Sequence, residues 1–285
     1  MIKINEIPNN YEPRTTIMSK LAVHYDKANG DTWMLPTESA FLCGIFNAVR
    51  PKKILEVGVA NGGTTSIVLQ LLENIGTPYE MYSVDIAKKM LDKEIGFLAT
   101  IAKENSLFVP NRLTLCGKHE FHLGKYLPQV IDEIGGDIDF VILDTVHYTP
   151  GELLDFPVML PYLKNNAIVV LHDISLNQRN RPIHTPDAHA TNLLFSNVVA
   201  EEKFLNYEAG RTYPNIGAFR INEQTMANIE NVFLALMLTW HYLPNDNEIK
   251  IYRDFYNKHY PAKLVEIFDE AVRLNRGNVV FTQKK

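Results

Sequence analysis

The chain has 285 residues, of which 46% are hydrophobic, and its formal net charge is −5. That hydrophobic fraction is enough for one large core, or for a core with a helical appendage. A mildly acidic chain lacks the broad basic surface that binding to a phosphate backbone requires. We therefore expect no nucleic-acid partner.

Cysteine usage and hydropathy indicate where the chain works. It has two cysteines, Cys43 and Cys116, and so small a number fits a reducing compartment better than a disulfide-built domain. The amino-terminal residues hold no apolar run typical of a signal peptide. No apolar stretch approaches the ~18 residues that a membrane span needs. We expect a cytoplasmic protein with no membrane partner.

Short apolar segments rich in β-branched residues alternate with segments of helical period. This alternation predicts a doubly wound α/β fold, with a mostly parallel, Rossmann-like sheet and right-handed crossovers. The predicted strands are 53–59, 81–86, 112–116, 139–144 and 167–173. The predicted helices between them are 64–75, 87–105, 119–134 and 151–163.

The two ends of the chain are predicted to be helical additions to this core. We expect a helical lead-in over 1–45, the ligand-binding α/β domain over 46–222 and a helical extension over 223–285. The extension is strongly apolar, which indicates packing against the core or a partner subunit, with a lid as the alternative. Such helices would expose a large apolar patch on a monomer unless they fold back, so we expect a homo-oligomer, most simply a twofold dimer. The polar segment 174–190 is predicted to be a long loop.

A glycine-rich turn follows the first strand. Gly58 lets the chain turn sharply, and Gly62 lets a ligand approach the backbone closely. Ala60 stands at the third position of the turn, where a dinucleotide fingerprint needs glycine. The carboxylate of Glu56 would repel a pyrophosphate but can pair with the cationic amino group of an amino-acid-like ligand. The turn therefore disfavours NAD and favours S-adenosylmethionine.

An acidic residue also ends the second strand. Asp85 lies 23 positions beyond Gly62, about where a carboxylate accepts hydrogen bonds from ribose hydroxyls. An aspartate at a strand end caps a helix at least as often. The glycine turn and Asp85, in order on consecutive strands, together indicate a nucleoside-containing ligand.

With these motifs, the segment 35–173 resembles class I S-adenosylmethionine-dependent methyltransferases. Within that class it is similar to catechol-type and macrocin-type O-methyltransferases and to cephalosporin-hydroxylase-like proteins. The resemblance implies that Glu56 and Gly58 hold the methionine part of the cofactor. It also implies that Thr64 touches the methionine carboxylate and that Asp85 binds the ribose.

The same resemblance implies where the adenine lies. The turn after the predicted third strand, which begins at Gly117, matches the place where these enzymes hold adenine. His119 and Glu120 depart from the small polar residues that are usual there. Gly62 and Asp144 complete the residues that we expect to contact the cofactor.

Two acids and two histidines end the fourth and fifth strands. Asp144 ends the fourth strand and His147 follows three residues later, whereas the fifth strand ends in His172 and Asp173. Neighbouring parallel strands end at the same edge, so these side chains form a candidate metal or acid–base site. The alternatives are a turn cap for Asp144, an Asx turn for Asp173 and packed histidines.

The resemblance to metal-dependent O-methyltransferases implies roles for these residues. Asp144 and Asp173 would hold Mg²⁺, which binds acceptor hydroxyls, and His147 would be the general base. His172 would be a third ligand in place of an oxygen donor, and imidazole suits Mn²⁺ or iron better than Mg²⁺. Related sugar methyltransferases often carry the pattern Asp-Gly-Asp-His at the position of residues 144–147, and this chain has Val146 in place of the second acid. Ile174 stands where catechol-type enzymes have asparagine.

The function predicted from the sequence is methyl transfer to a small-molecule acceptor, through a hydroxyl of a sugar or a secondary metabolite. One alternative is a metal-independent N-methyltransferase, which needs only deprotonation and alignment of an amine. The other is a non-catalytic cofactor-binding protein, against which the convergent acids and histidines argue. A nicotinamide oxidoreductase is disfavoured by Glu56 and Ala60.

Overall fold

A computed structural model describes most of the chain. The described residues are 34, 36–60, 62–88, 116–178, 187–206 and 214–278. Within them, seven strands form one sheet in the order β3-β2-β1-β4-β5-β7-β6. The strands are β1 (Lys53–Val57), β2 (Glu80–Asp85), β3 (Lys118–Leu123), β4 (Ile138–Leu143), β5 (Leu163–His172), β6 (Lys203–Leu205) and β7 (Ile216–Arg220).

Strands β1 to β5 run parallel, and β7 pairs antiparallel with both β5 and β6. The α/β fold with a mostly parallel sheet is therefore confirmed. From β1 the chain adds β2 and β3 on one side of the sheet and then returns to add β4 on the other side. The strand order therefore reverses between β1 and β4, and this is the topological switch point of the sheet. The helices are α1 (Pro36–Val49), α2 (Gly63–Ile75), α3 (Ile131–Ile134), α4 (Gly151–Met159), α5 (Ala190–Asn197), α6 (Glu223–Ala227), α7 (Glu230–Ala235), α8 (Asp246–His259) and α9 (Ala262–Asn278).

The third strand differs from the prediction. The predicted strand 112–116 lies outside the described residues except for Cys116, which is exposed at a bend. Residues 118–123 pair with β2 instead, so the predicted helix 119–134 is wrong in its first part. The prediction of a strand at 112–116 depends on the apolar residues that are typical of buried parallel strands. Strand β3 is an edge strand whose side chains are mostly half exposed, so it needs no apolar run.

Helices cover the sheet on both faces. The buried side chains of α1 and α2 form one hydrophobic cluster with the sheet, and those of α4 and α7 to α9 form the other. Each cluster takes alternate residues of the central strands, because successive side chains point to opposite faces. Within the described residues, no helix is long and apolar enough to cross a membrane.

The carboxy-terminal helices fold back over the core. Phe233 of α7 is fully buried among the core residues, and Trp240 is nearly so. Tyr256 of α8 donates a hydrogen bond of 2.7 Å to the backbone oxygen of Leu154 in α4. Packing of the extension against the core is therefore what the structure shows. The predicted boundaries of the three regions stay predictions.

Phe233→Ala tests this packing. We expect it to lower the free energy of unfolding by about 3–5 kcal/mol, because it leaves a cavity in the core. The control is Leu234→Ala on the same helix, since Leu234 is 48% exposed. Urea denaturation of both variants measures the difference. Equal losses of stability would contradict the packing of α7 on the core.

Candidate active site

A cavity of about 310 Å³ opens at the carboxyl ends of β1, β2 and β4. The turn after each of these strands contributes to its wall, as do residues 125–127 after β3 and the start of α4. Part of the carboxy-terminal extension, between residues 242 and 252, closes one side. This edge of an open α/β sheet, near the switch point, is where ligands bind.

The turns after β1 and β4 pass close to each other at Gly58. A Cβ on Gly58 would lie 1.8 Å from the backbone oxygen of Asp144, and the φ angle of Gly58 is +93°. The amide of Asp144 donates a 2.9 Å hydrogen bond to the backbone oxygen of Val57. Only glycine lets the two turns approach this closely, because any side chain would clash with Asp144. Gly58 and Asp144 both line the cavity, as the predicted cofactor contacts require.

Asp85 holds the glycine turn from β2. Its Oδ2 accepts hydrogen bonds from the amides of Val59, at 2.8 Å, and Ala60, at 2.9 Å. Its Oδ1 accepts one of 2.7 Å from the amide of Ala87. A carboxylate has further acceptor capacity on both oxygens. Asp85 also lines the cavity, so it can brace the turn and still accept ligand hydroxyls.

Glu56 lies behind the turn rather than in the cavity wall. It is fully buried, and its Oε2 accepts hydrogen bonds from Thr65 Oγ1 at 2.7 Å and Ser83 Oγ at 2.6 Å. Among the described residues, its Oε1 has no partner. Burial raises the pKa of Glu56 to about 7, against the smaller opposing effect of its two hydroxyl donors. Its pairing with a ligand's amino group stays a prediction.

Gly62 and Thr64 lie at the start of α2. Gly62 is buried, has a φ of +75° and donates a 2.7 Å hydrogen bond to the backbone oxygen of Val59. Thr64 is half-buried in the first turn of the helix. Neither is part of the cavity wall, so their contacts with the cofactor stay predictions.

Gly117, the predicted adenine contact, does not line the cavity, so that contact stays a prediction. Gly117 lies at the amino end of β3, where a Cβ on it would be 2.3 Å from the backbone oxygen of Tyr79. Lys118 is paired there with Glu80, the first residue of β2. This is the opposite edge of the sheet from the cavity, because the cavity lies at the carboxyl ends of the strands. The sequence placed β3 too early.

The structure brings the four predicted side chains together in an acid–histidine cluster, consisting of Asp144, His147, His172 and Asp173. His172 Nδ1 lies 3.1 Å from Asp144 Oδ1 and 3.6 Å from Asp173 Oδ2. His147 Nε2 lies 3.3 Å from Asp173 Oδ2 and 3.6 Å from Asp144 Oδ1. The cluster adjoins the cavity at Asp144.

Two residues that sequence reasoning missed support the cluster from behind. Glu38 of α1 is buried, and its Oε2 lies 3.1 Å from His172 Nε2. Asn215 donates hydrogen bonds from Nδ2 to Glu38 Oε1, at 3.0 Å, and to Asp173 Oδ1. Glu38 lies 134 positions from His172 in sequence, and no spacing signal links residues so far apart.

A third missed residue, Glu152, orients His147. Glu152 is fully buried in the first turn of α4. Its Oε1 accepts a hydrogen bond of 2.9 Å from the amide of His147 and lies 3.1 Å from His147 Nδ1. Nδ1 is therefore the donor to Glu152, and Nε2 faces the cluster. The cis peptide before Pro150 lies in the turn between them.

The charges of the cluster depend on one another. Burial lowers the pKa of His147, but its hydrogen bond to Glu152 and the nearby carboxylates outweigh burial and raise that pKa to about 9. Burial likewise opposes protonation of His172, yet Asp144 and Asp173 raise its pKa well above the usual value. Burial raises the pKa of Asp144, and the charge of His172 outweighs it, so the net direction is downward.

Three members of the cluster have the spacing of metal ligands. Asp144, His147 and Asp173 each offer one atom, and these atoms lie within 4.8 Å of one another. His172, the predicted nitrogen ligand, instead has its two ring nitrogens beside Asp144 and Glu38. Two carboxylates and an imidazole suit Mn²⁺ or Fe²⁺ as donors.

Comparison with known proteins identifies a methyltransferase domain in the chain. Residues 55–174 match the family model described as a methyltransferase domain. Rhamnosyl O-methyltransferases are similar over one region, with 24% identity for that of Mycobacterium tuberculosis over 47% of this chain and 50% of the relative. For that of Mycobacterium leprae, identity is 26% over 45% and 51%. The chain spans about half the length of the curated relatives it matches.

Solved structures with a similar fold include two O-methyltransferases. TomG from Streptomyces achromogenes, in complex with SAM, is 14% identical with a TM-score of 0.47, covering 72% of this chain and 90% of that one. The Bacillus cereus enzyme, in complex with SAH, is 16% identical with a TM-score of 0.47, covering 76% and 96%.

The raised pKa of Glu56 predicts how stability depends on pH. Because folding raises this pKa from 4.5 to about 7, the protonated carboxyl favours the folded state. Its contribution is fully present below about pH 4.5 and is lost as pH rises to about 7. The wild type minus Glu56→Gln difference in unfolding free energy should fall by roughly 2–3 kcal/mol over that range.

Urea denaturation at a series of pH values measures this difference. Glu120→Gln is the control, because Glu120 lies on the half-exposed strand β3. A Glu56→Gln curve that runs parallel to the wild-type curve would contradict the buried, raised carboxyl.

Proposed function

We propose that the chain, whose residues 55–174 match a methyltransferase domain, transfers the methyl group of S-adenosylmethionine to a hydroxyl oxygen of a small molecule. The observation that carries the proposal is the juxtaposition of two sites at one edge of the sheet. The cavity with Asp85 in its wall adjoins the acid–histidine cluster at Asp144. A nucleoside bound in the cavity would therefore lie next to carboxylates and imidazoles that can accept or donate a proton.

The cavity fits the nucleoside part of the cofactor. Asp85 offers carboxylate oxygens to ribose hydroxyls, and Gly58 lines the same cavity. The cofactor supplies an electrophilic methyl carbon on a sulfonium. The acceptor oxygen forms the new bond to that carbon, the carbon–sulfur bond breaks, and its electron pair stays on sulfur. Asp144, at the boundary between cavity and cluster, is placed to orient the acceptor.

The buried charge of the cluster fits a divalent cation. Two imidazoles are surrounded by four carboxylates, those of Asp144, Asp173 and the flanking Glu38 and Glu152. With all four carboxylates ionised, the group would carry a net negative charge even if both imidazoles were protonated, and such a charge is costly in a buried site. A divalent ion, Mn²⁺ or Mg²⁺, bound to Asp144 and Asp173 would compensate it. The metal-free case remains the alternative outcome of the experiment below.

His147 is proposed to remove the acceptor proton. Only the neutral imidazole can accept a proton, and the pKa of about 9 reflects three carboxylates around it. A cation beside Asp144 and Asp173 would lower that pKa and favour the neutral form. Glu152 binds Nδ1, which leaves Nε2 as the basic nitrogen. Nε2 can serve either as a base or as a metal ligand, and His172 is the nitrogen ligand if His147 is the base.

The acceptor is proposed to be a sugar hydroxyl or a related metabolite hydroxyl. The support is the sequence similarity of one region of this chain to proteins named rhamnosyl O-methyltransferases. The acceptor's specificity would come from the surroundings of the cluster, including the segment 174–190. A cytoplasmic location is likewise proposed on composition alone.

Cofactor binding tests the first part of the proposal. We expect S-adenosylhomocysteine to bind with micromolar affinity in isothermal titration calorimetry and NAD not to bind. Asp85→Ala should weaken binding by about 1–3 kcal/mol, because the ribose hydroxyls lose their acceptor. Asp139→Ala is the matched control, since Asp139 lies at the amino end of β4 and accepts from Lys52 and Lys53. Comparable affinity for NAD would overturn the cofactor assignment.

Metal binding tests the second part. We expect Mn²⁺, followed by the paramagnetic resonance of the free ion, to bind the wild type, and Asp173→Ala to lose that binding. Replacing the histidine that ligates the ion by alanine should lower the affinity for Mn²⁺ by about 10–100-fold. If His147 is the base, as proposed, this loss should appear in His172→Ala. If it appears in His147→Ala instead, His147 is a ligand, which the spacing of Asp144, His147 and Asp173 allows. No Mn²⁺ binding by the wild type, with cofactor binding intact, would remove the metal from the mechanism.

A homo-oligomer is also proposed, although most of the extension is buried against its own core. The support is the exposure of Leu234, at 48%, and Leu238, at 50%, on one surface segment of the extension. Light scattering at micromolar concentration should give a multiple of the 32.5 kDa chain mass. Leu238→Lys should then shift the mass towards the monomer. A monomeric wild type would refute the proposal.

A further inference from the structure

The cavity extends beyond Asp85 to a wall built by the carboxy-terminal extension. Four residues of that wall, Tyr242, Pro244, Glu248 and Tyr252, come from the loop before α8 and from its first two turns. None of them lies in the matched domain, 55–174. The extension is therefore part of the cavity and not only a covering of the core.

Two apolar side chains flank the cavity between Asp85 and this wall. Ile86 directly follows Asp85 at the end of β2, and it is 55% exposed. Val146 follows β4 and is 37% exposed. Exposed branched aliphatic residues in a cavity wall are suited to contact the faces of a planar ring.

The far end of the cavity combines tyrosines with carboxylates. Tyr252 donates a hydrogen bond of 2.6 Å to Oδ1 of the buried Asp155. Tyr126, which follows β3, donates one to Oε1 of Glu248. Each hydroxyl fixes one carboxylate, and each carboxylate keeps acceptor capacity for a ligand.

The rotation of Glu248 is fixed from its other side as well. Its Oε2 accepts a hydrogen bond of 2.7 Å from the amide of Asn245, the residue that caps α8. The carboxylate is thus held by the reciprocal capping contacts of the helix and by Tyr126. An acceptor held in one orientation gives specificity for a donor at one place.

From these observations we infer that the extension holds the adenine ring of the cofactor, with Glu248 and Asp155 accepting hydrogen bonds from its exocyclic amine. The inference rests on the proposed function, because it assumes that S-adenosylmethionine enters the cavity with its ribose at Asp85. Ile86 and Val146 then contact the ring, and Tyr242 and Tyr252 close its end. An acidic end is suited to an amine and unsuited to a carbonyl at the same position of the ring.

This assignment places adenine where side chains of the matched domain and of the extension meet. The predicted adenine turn begins at Gly117, at the amino ends of β2 and β3, whereas the cavity lies at the carboxyl ends of the strands. After β3, the residues that line the cavity are Lys125, Tyr126 and Leu127. Tyr126 reaches the extension directly through Glu248, so the two segments form one continuous wall.

The experiment compares two ligands that differ at the position of the amine and at the adjacent ring nitrogen. Calorimetry measures the affinities of S-adenosylhomocysteine and of its deaminated form, S-inosylhomocysteine, which has a carbonyl in place of the amine and a hydrogen on N1. We expect the wild type to prefer the amine form by about tenfold or more. Glu248→Gln should reduce this preference, because an amide can donate to the carbonyl as well as accept from the amine. Glutamine also preserves the capping contact at Asn245.

A second variant and a control complete the test. Tyr242→Ala, which shortens the end wall, should weaken binding of both ligands by about tenfold, because it exposes the ring to water. Glu266→Gln, an exposed position on α9, should leave both affinities unchanged. If the wild type does not bind S-adenosylhomocysteine, the proposed function fails together with this inference. If it binds, but Glu248→Gln and Tyr242→Ala keep wild-type affinities and preference, the inference alone is overturned.

Discussion

The close passage of two turns at Gly58 is the constraint on which the rest of the site depends. The backbone oxygen of Asp144 occupies the space that a Cβ on Gly58 would need, and this contact joins the turn after β1 to the turn after β4. It places the cavity beside the acid–histidine cluster. Asp85 then fixes the same turn from β2, through the amides of Val59 and Ala60. The ends of three adjacent parallel strands thereby converge on one cavity.

Charge balance is the second constraint on the site. His172 lies between Asp144 and Glu38, and His147 lies between Glu152 and the strand-end aspartates. Each imidazole therefore bridges an acid in the cluster and a buried acid behind it. This alternation holds the acids close together despite their repulsion. It also links the protonation of each histidine to whatever cation or acceptor the aspartates bind.

Much of this could be predicted from the sequence, because strand ends are visible as apolar runs that stop at polar residues. That signal identified Gly58, Asp85 and the cluster, since parallel strands that are neighbours must bring their ends together. It failed at β3, whose edge position allows a polar strand with no apolar run. It also failed for groups that meet the site from distant parts of the chain. These are Glu38, Asn215 and the residues of the extension, Tyr242, Glu248 and Tyr252. Glu152, five positions after His147, was missed because it lies in α4 and not at a strand end.

The central claim is that the cavity between the sheet edge and the extension binds S-adenosylmethionine. Hydrogen–deuterium exchange with and without S-adenosylhomocysteine tests it most directly, because it reports each peptide separately. The account predicts protection in the peptides covering 55–60, 83–88 and 242–252, and unchanged exchange in α9. Protection confined to other regions, or no protection at saturating ligand, would contradict it.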